Sequence, residues 1–168
     1  MKKIKWEKVG TSYLLISGAE ELIRLQYDAV KGSSFVMNDI RYEIRREGFW
    51  NQRYIVSNDG KEEATLSHNF WGSKGKIQFA EGITFCSDYK YKNILTLRFL
   101  DGESEILRYH VEGDSGKQFA EFSLGIAIVD AEKLLLMTAL GMVMFLNIFN
   151  EFNGGEDAGP FLMMAASG

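Results

Sequence analysis

The sequence predicts a mainly β protein, a closed antiparallel β-barrel of about 10–12 strands around a hydrophobic C-terminal α-helix. Three observations lead there. Short apolar runs alternate with turn signals from Ile4 to Val129, at roughly 8–12 residues per run, the rhythm of a sandwich or barrel. The stretch Asp130 to Phe152 is apolar on every face rather than along one stripe, and such a helix has to be surrounded by protein or by lipid. Proline is limited to Pro160 against 17 glycines, so turns are made with Gly, Asn and Asp, as in closely spaced hairpins.

The elements follow in order. Tyr13-Leu14-Leu15-Ile16 ends at Ser17-Gly18, and Leu22 to Tyr27 ends near Lys31-Gly32-Ser33-Ser34. The next run, Phe35 to Arg46, sets Ile40, Tyr42 and Ile44 against Arg41, Glu43 and Arg45, the period of two expected of a half-buried strand. Arg53 to Ser57 closes at Asn58-Asp59-Gly60, a strong hairpin turn. Further runs are Ala64–Leu66, Lys74–Phe79, Ile83–Cys86, Asn93–Leu100 and Glu105–Val111, with a turn at Asp101-Gly102. Gly113-Asp114-Ser115-Gly116 precedes the last strand-like run, Phe119 to Val129.

The final helix is expected over about 131–152. Asp130 is placed to cap it, and Glu132 sits in its first turn, where the helix dipole favours an acid. Asn153-Gly154-Gly155 reads as its C-terminal stop. Residues 1–153 therefore read as one unit and 154–168 as a tail, polar through Pro160 and apolar from Phe161 to Ala166. The apolar segment Leu134 to Phe149 is 16 residues long and contains Thr138, Gly141 and Asn147. A membrane span needs about 20 apolar residues, and shorter runs belong to core helices. A core helix is the expectation, and a membrane anchor the less favoured variant. An eight-stranded barrel is filled by its own side chains. Enclosing a helix about 10 Å across takes a wider one, close to the eleven-stranded can with a helix inside.

Several segments resemble one family. Phe49-Trp50-Asn51-Gln52-Arg53-Tyr54-Ile55, Asn58-Asp59-Gly60 and Ala131-Glu132-Lys133-Leu134-Leu135-Leu136, with the strand rhythm, make the chain from Met1 to Phe152 similar to the tubby C-terminal-like group. That group includes the LURP-one-related proteins and the phospholipid scramblases. The resemblance implies a barrel of about twelve strands on a central helix. It further implies binding of phosphoinositide headgroups or action at membranes. It is architectural and carries no binding residue across.

Composition narrows the function. A net charge of −4 and a pI near 5.3 argue against a general polyanion binder such as a nucleic-acid protein. Lys2, Lys3, Lys5 and Lys8 interrupt what would be the apolar core of a signal peptide. The lone Cys86 excludes an internal disulfide and fits a reducing compartment, so a cytoplasmic protein is expected. No catalytic motif, metal-ligand spacing or cofactor fingerprint is present, and the chain is read as a non-enzyme without cofactor or metal. His68, before Asn69-Phe70-Trp71-Gly72, reads as a turn histidine, His110 as a wall or surface residue, and Cys86 as a small buried hydrophobe. Gly72-Ser73-Lys74-Gly75-Lys76 lacks the GxxxxGK[ST] spacing of a phosphate loop and reads as a hairpin turn. Phe49-Trp50 and Phe70-Trp71 are expected to seal an end of the barrel.

Basic residues are the most suggestive polar ones. Arg41 and Arg45 share a phase with Glu43 and Glu47, a solvated, charge-laced face. Arg46 falls on the apolar phase, either marking the strand's end or pointing inward with a partner. Arg45, Arg46, Arg53, Lys74 and Lys76 are the candidate anion-binding residues. The expected function is binding of anionic lipid headgroups or phosphoanions at a membrane surface. The alternative is a protein-interaction or structural module with no small ligand.

Overall fold

A computed structural model describes residues 4–48, 51–69, 73–92, 94–111, 120–122 and 131–152. They form strands β1 (Ile4–Val9), β2 (Ser12–Ser17), β3 (Glu20–Gln26), β4 (Ser33–Met37), β5 (Ile40–Glu47) and β6 (Asn51–Asn58). Strands β7 (Lys61–Asn69), β8 (Lys74–Phe79), β9 (Thr84–Lys92), β10 (Ile94–Asp101), β11 (Ser104–Val111) and β12 (Ala120–Phe122) follow, and helix α1 (Ala131–Phe152) is last. From β1 to β11 each strand pairs antiparallel with the one before it, in one continuous sheet. The three-residue β12 lies between β11 and β1, matching Val111 to Ala120 on one side and Ile4 to Phe122 on the other.

Alternation places one face of this sheet on a single hydrophobic core. Trp6, Leu15, Leu25, Tyr54, Leu66, Leu97, Phe99 and Tyr109 are fully buried there. Helix α1 lies against that face, approached by β3, β6, β10 and β11. Every residue from 136 to 148 of the helix is buried, which is what all-round apolarity requires of a helix packed inside protein. Lys133 pairs with Glu81 of the β8–β9 connection at 2.8 Å, so α1 enters where the even-numbered strands end. It leaves where the odd-numbered strands end, beside Tyr27 and Arg46.

Close packing has one visible concession in the helix. At Gly141 a Cβ would lie 2.6 Å from Phe99 Cε2 and 2.7 Å from Tyr109 Cε2. Only a residue without a side chain lets the helix axis come this near β10 and β11. Tyr109 donates its hydroxyl hydrogen to the carbonyl of Thr138, and the Thr138 hydroxyl donates to the Leu134 carbonyl at 2.6 Å. Both buried polar groups are therefore satisfied.

The structure corrects several expectations. Phe35 to Arg46 is two strands, β4 and β5, joined at Asn38-Asp39, both in the left-handed region (φ 51° and 61°). Asn and Asp tolerate that region without glycine, so a hairpin turn is hidden inside an apolar alternation. The strand seen at Ala64–Leu66 extends to nine residues as β7. His68 is not a turn residue but lies within β7, buried, its ring stacked on Tyr54 at 6.1 Å and meeting Tyr89 edge-on at 6.0 Å. Cys86 is exposed, not buried, because Phe85 and Ser87 take the inward positions of β9. Asp130, Asn153-Gly154-Gly155, Phe49-Trp50, Phe70-Trp71, Gly113–Gly116 and the tail 154–168 lie outside the described residues.

Candidate functional site

Arg45 and Arg46 are consecutive on β5 and so point to opposite faces. Arg45 is on the outer face, where its guanidinium donates to Glu47 at 3.0 Å and Glu62 at 3.2 Å. The Glu47 hydrogen bond is the main cause that holds its pKa above the usual arginine value. Arg46 takes the inward phase of Tyr42 and Ile44, at the end of the sheet where α1 emerges. Its guanidinium donates to Glu151 and lies 5.7 Å from the centre of the Tyr54 ring, a cross-strand neighbour. The last turn of α1 has no basic residue of its own. Arg46 therefore supplies from the sheet the positive charge that a helix C-terminus favours. Of the two expectations for Arg46, the inward arginine with a partner is the one observed.

Lys74 and Lys76 stand apart from that pair, whereas Arg53 meets Arg45 on the outer face through their common partner Glu47. Arg53 faces outward on β6, 4.0 Å from Glu47. Its register partner is Ser67, whose partner on the other side is Lys76. Arg53 and Lys76 thus share an outward row, about 10 Å apart by strand spacing. Lys74 and Lys76 are exposed on β8 and make no salt bridge among the described residues. Between Arg53 and β8 lies an outer groove of about 390 Å³, lined by Arg53, Glu62, Glu63, Thr65, Ser67 and Gln78. Its two carboxylates offset its one cation. Gly75 belongs to β8 rather than to a loop. A Cβ there would lie 2.3 Å from the Ser67 carbonyl oxygen and 2.8 Å from Ser87 Oγ, so this glycine permits the close approach of the strands.

The structure adds a cleft that the sequence did not show. About 260 Å³ of space lies between the 28–32 connection, β5 and the last turns of α1, with Lys31, Ser33, Arg45, Arg46, Tyr54 and Asn147 on its walls. Arg45 and Arg46 both border it, Arg46 on the inward phase and Arg45 with its guanidinium turned to the outer face, and Lys31 adds a further cation. The connection is held by Asp28, whose carboxylate accepts from the backbone N–H groups of Val30 at 2.9 Å and Lys31 at 2.8 Å. Those two bonds, Lys31 first, hold its carboxyl below the usual aspartate range. Ser33 Oγ accepts from the Asp28 N–H at 3.0 Å. Val30 at the tip is 91% exposed.

The helix end beside this cleft is anchored by Tyr27. Its hydroxyl donates to Asn147 Oδ1 and accepts from Asn150 Nδ2 at 3.0 Å. Burial is the main cause pushing the Tyr27 phenol up to about 12, and likewise that of Tyr54. Elsewhere on the outer face Arg98 holds Asp88 bidentately at 2.8 and 2.6 Å. Arg108 holds Glu105 in the same way at 2.7 Å. These are ion pairs within the wall and present no free charge. Among the described residues no three His, Cys, Asp or Glu side chains come together as a metal site would need. Compared with known proteins, the chain has no significant match to a family model, a curated protein or a solved structure.

Proposed function

We propose that this protein is a non-enzymatic, tubby-like binding module: a barrel closed through β12, filled by α1, that takes anionic phosphate-bearing groups such as lipid headgroups at a membrane surface. The observation that carries it is the division of space. The inner face of the sheet is occupied by helix, with residues 136–148 all buried, so the interior is used for stability. Cations are placed instead at the mouth, where Lys31 and Arg46 line one cleft, and on the outer face, with Arg45 beside Glu47 and Arg53 and Lys76 in one row. An overall charge of −4 makes this a local recognition site rather than a general polyanion surface. The single, exposed thiol of Cys86 suits a reducing, cytoplasmic setting.

The test is sedimentation of detergent-free protein with vesicles of neutral phosphatidylcholine or of the same lipid mixed with anionic lipid, at low and high salt. Binding to anionic vesicles alone, weakened by salt, is expected. It should fall when Arg45, Arg46 and Arg53 are replaced by Gln, and by a smaller factor when Lys74 and Lys76 are. Binding that survives all five substitutions, or no binding at all, would refute the reading and leave a protein-interaction module.

A further inference from the structure

The rim cleft is open to solvent, yet the cations on its walls are not equally available. Arg45 is shared between Glu47 and Glu62. Arg46 is held by Glu151. Lys31 makes no salt bridge among the described residues, and the nearby Asp28 carboxylate is turned onto its own loop's N–H groups. Glu151 lies one helical turn beyond Asn147, a residue of the cleft wall, and residues four apart stack on one helix face. Its side chain is 49% exposed. The turn that carries it is fixed independently through Tyr27, Asn147 and Asn150. The Glu151 carboxylate can therefore leave Arg46 without α1 leaving the sheet.

Resting on the function proposed above, we infer that Glu151 is a built-in competitor: it occupies Arg46 in the free protein and is displaced when a phosphate group enters the cleft between Arg46 and Lys31. The chemistry fits. A guanidinium presents two parallel N–H donors to a carboxylate or a phosphate in the same way, so the two anions exclude each other at Arg46. Lys31 then adds a point charge that Glu151 does not use. The cleft's 260 Å³ is below the roughly 300–1,000 Å³ of ordinary small-molecule pockets, which suits one phosphate group and not a nucleotide. Binding is thereby coupled to the last turn of α1, because each anion that binds releases Glu151.

The experiment measures affinity for inorganic phosphate, for glycerol 3-phosphate and for anionic phosphatidylcholine-based vesicles. It uses the wild type, Glu151→Gln, Lys31→Ala and the charge-matched control Glu103→Gln, an exposed residue of the β10–β11 turn. Glu151→Gln should bind about two- to fivefold more tightly, the range an exposed ion pair is worth, while Glu103→Gln matches the wild type. Lys31→Ala should weaken binding. Preference for vesicles over both soluble phosphates would identify the source as lipid, and equal affinity a free phosphate. Wild-type binding that Glu151→Gln leaves unchanged, or that Glu103→Gln raises equally, overturns the competitor while leaving the binding function intact. Absence of binding by both the wild type and Glu151→Gln overturns the binding function itself.

Discussion

Replacing Gly141 by alanine sets two well-known effects against each other. In an exposed helix interior the change stabilises by about 1 kcal/mol, because alanine loses less backbone freedom on folding. Here the new methyl would sit 2.6 Å from Phe99 Cε2, 2.7 Å from Tyr109 Cε2 and 2.9 Å from the Tyr109 hydroxyl oxygen. Both rings are fully buried and cannot swing into solvent. Tyr109 is further tied to the Thr138 carbonyl, so moving its ring also strains a buried hydrogen bond. Overpacking of this kind costs about 1–3 kcal/mol, and the tethered ring argues for the upper end. Subtracting the helical gain leaves a net loss of about 2 kcal/mol. Urea unfolding followed by tryptophan fluorescence reads this as a lower midpoint at unchanged slope. An alanine variant as stable as the wild type, or more stable, would show that α1 is not packed this closely against β10 and β11.

Three further outcomes follow from the same geometry. Leu140→Asp and Met144→Asp each place a charge among fully buried side chains and should abolish cooperative folding; a soluble variant with a sharp unfolding transition would place the helix elsewhere. Tyr27→Phe removes the donor to the buried Asn147 and the acceptor for Asn150. It should cost about 1–2 kcal/mol in the same urea assay, and an unchanged midpoint would deny the anchor. Alkaline pH should unfold the protein in a defined window. Burial raises the phenols of Tyr27 and Tyr54 from 10.0 to about 12, so the unfolded chain loses these protons first. Their contribution is complete below pH 10 and disappears as pH rises towards 12. Unfolding midpoints measured across that range should fall less steeply in Tyr27→Phe/Tyr54→Phe, and an equally steep fall would refute the assignment.

What could be read from the sequence was whatever depends on periodicity. The bounds of α1 and the β8 strand follow from it directly, as does the inward phase of Arg46. Two residues follow that periodicity against their local sequence context. His68 continues the inward alternation of Ala64 and Leu66, but the turn-like Asn69 to Gly72 behind it outweighed the phase. Cys86 falls between the inward Phe85 and Ser87, so strand phase and not apolar character sets its exposure. The Asn38-Asp39 turn lacks the glycine that marks most of the other hairpins. The cleft was not legible at all. It brings Lys31 on one connection, Arg46 on β5 and Asn147 on the helix together, and only the tertiary wrap of the sheet makes them neighbours. The five basic candidates accordingly divide between the rim, where the Arg46 guanidinium lies, and the outer face, which carries those of Arg45 and Arg53 and the two exposed lysines.

One property of α1 admits two environments, and the rest of the chain decides between them. Residues 131–151 have a mean hydropathy of 1.6 over their most apolar window, enough to cross a bilayer by length and composition. Yet 72% of that window is buried inside the protein, and its polar residues have protein partners, Thr138 with Leu134 and Asn147 with Tyr27. Lipid offers Asn147 no such partner. The sheet needs the helix equally. Leu134, Leu136, Met137, Leu140, Met142, Val143, Met144, Phe145, Leu146 and Ile148 all belong to the shared core. At about 1.5 kcal/mol or more for each buried side chain, their removal costs at least about 15 kcal/mol. That equals or exceeds the net stability of about 5–15 kcal/mol of a whole domain. Truncation after Val129 should therefore yield an unfolded or aggregating chain, whereas a sheet that merely carried a membrane anchor would become a soluble, folded domain. Circular dichroism and urea unfolding of the truncated protein separate the two, and a cooperative transition from it would overturn the helix as core.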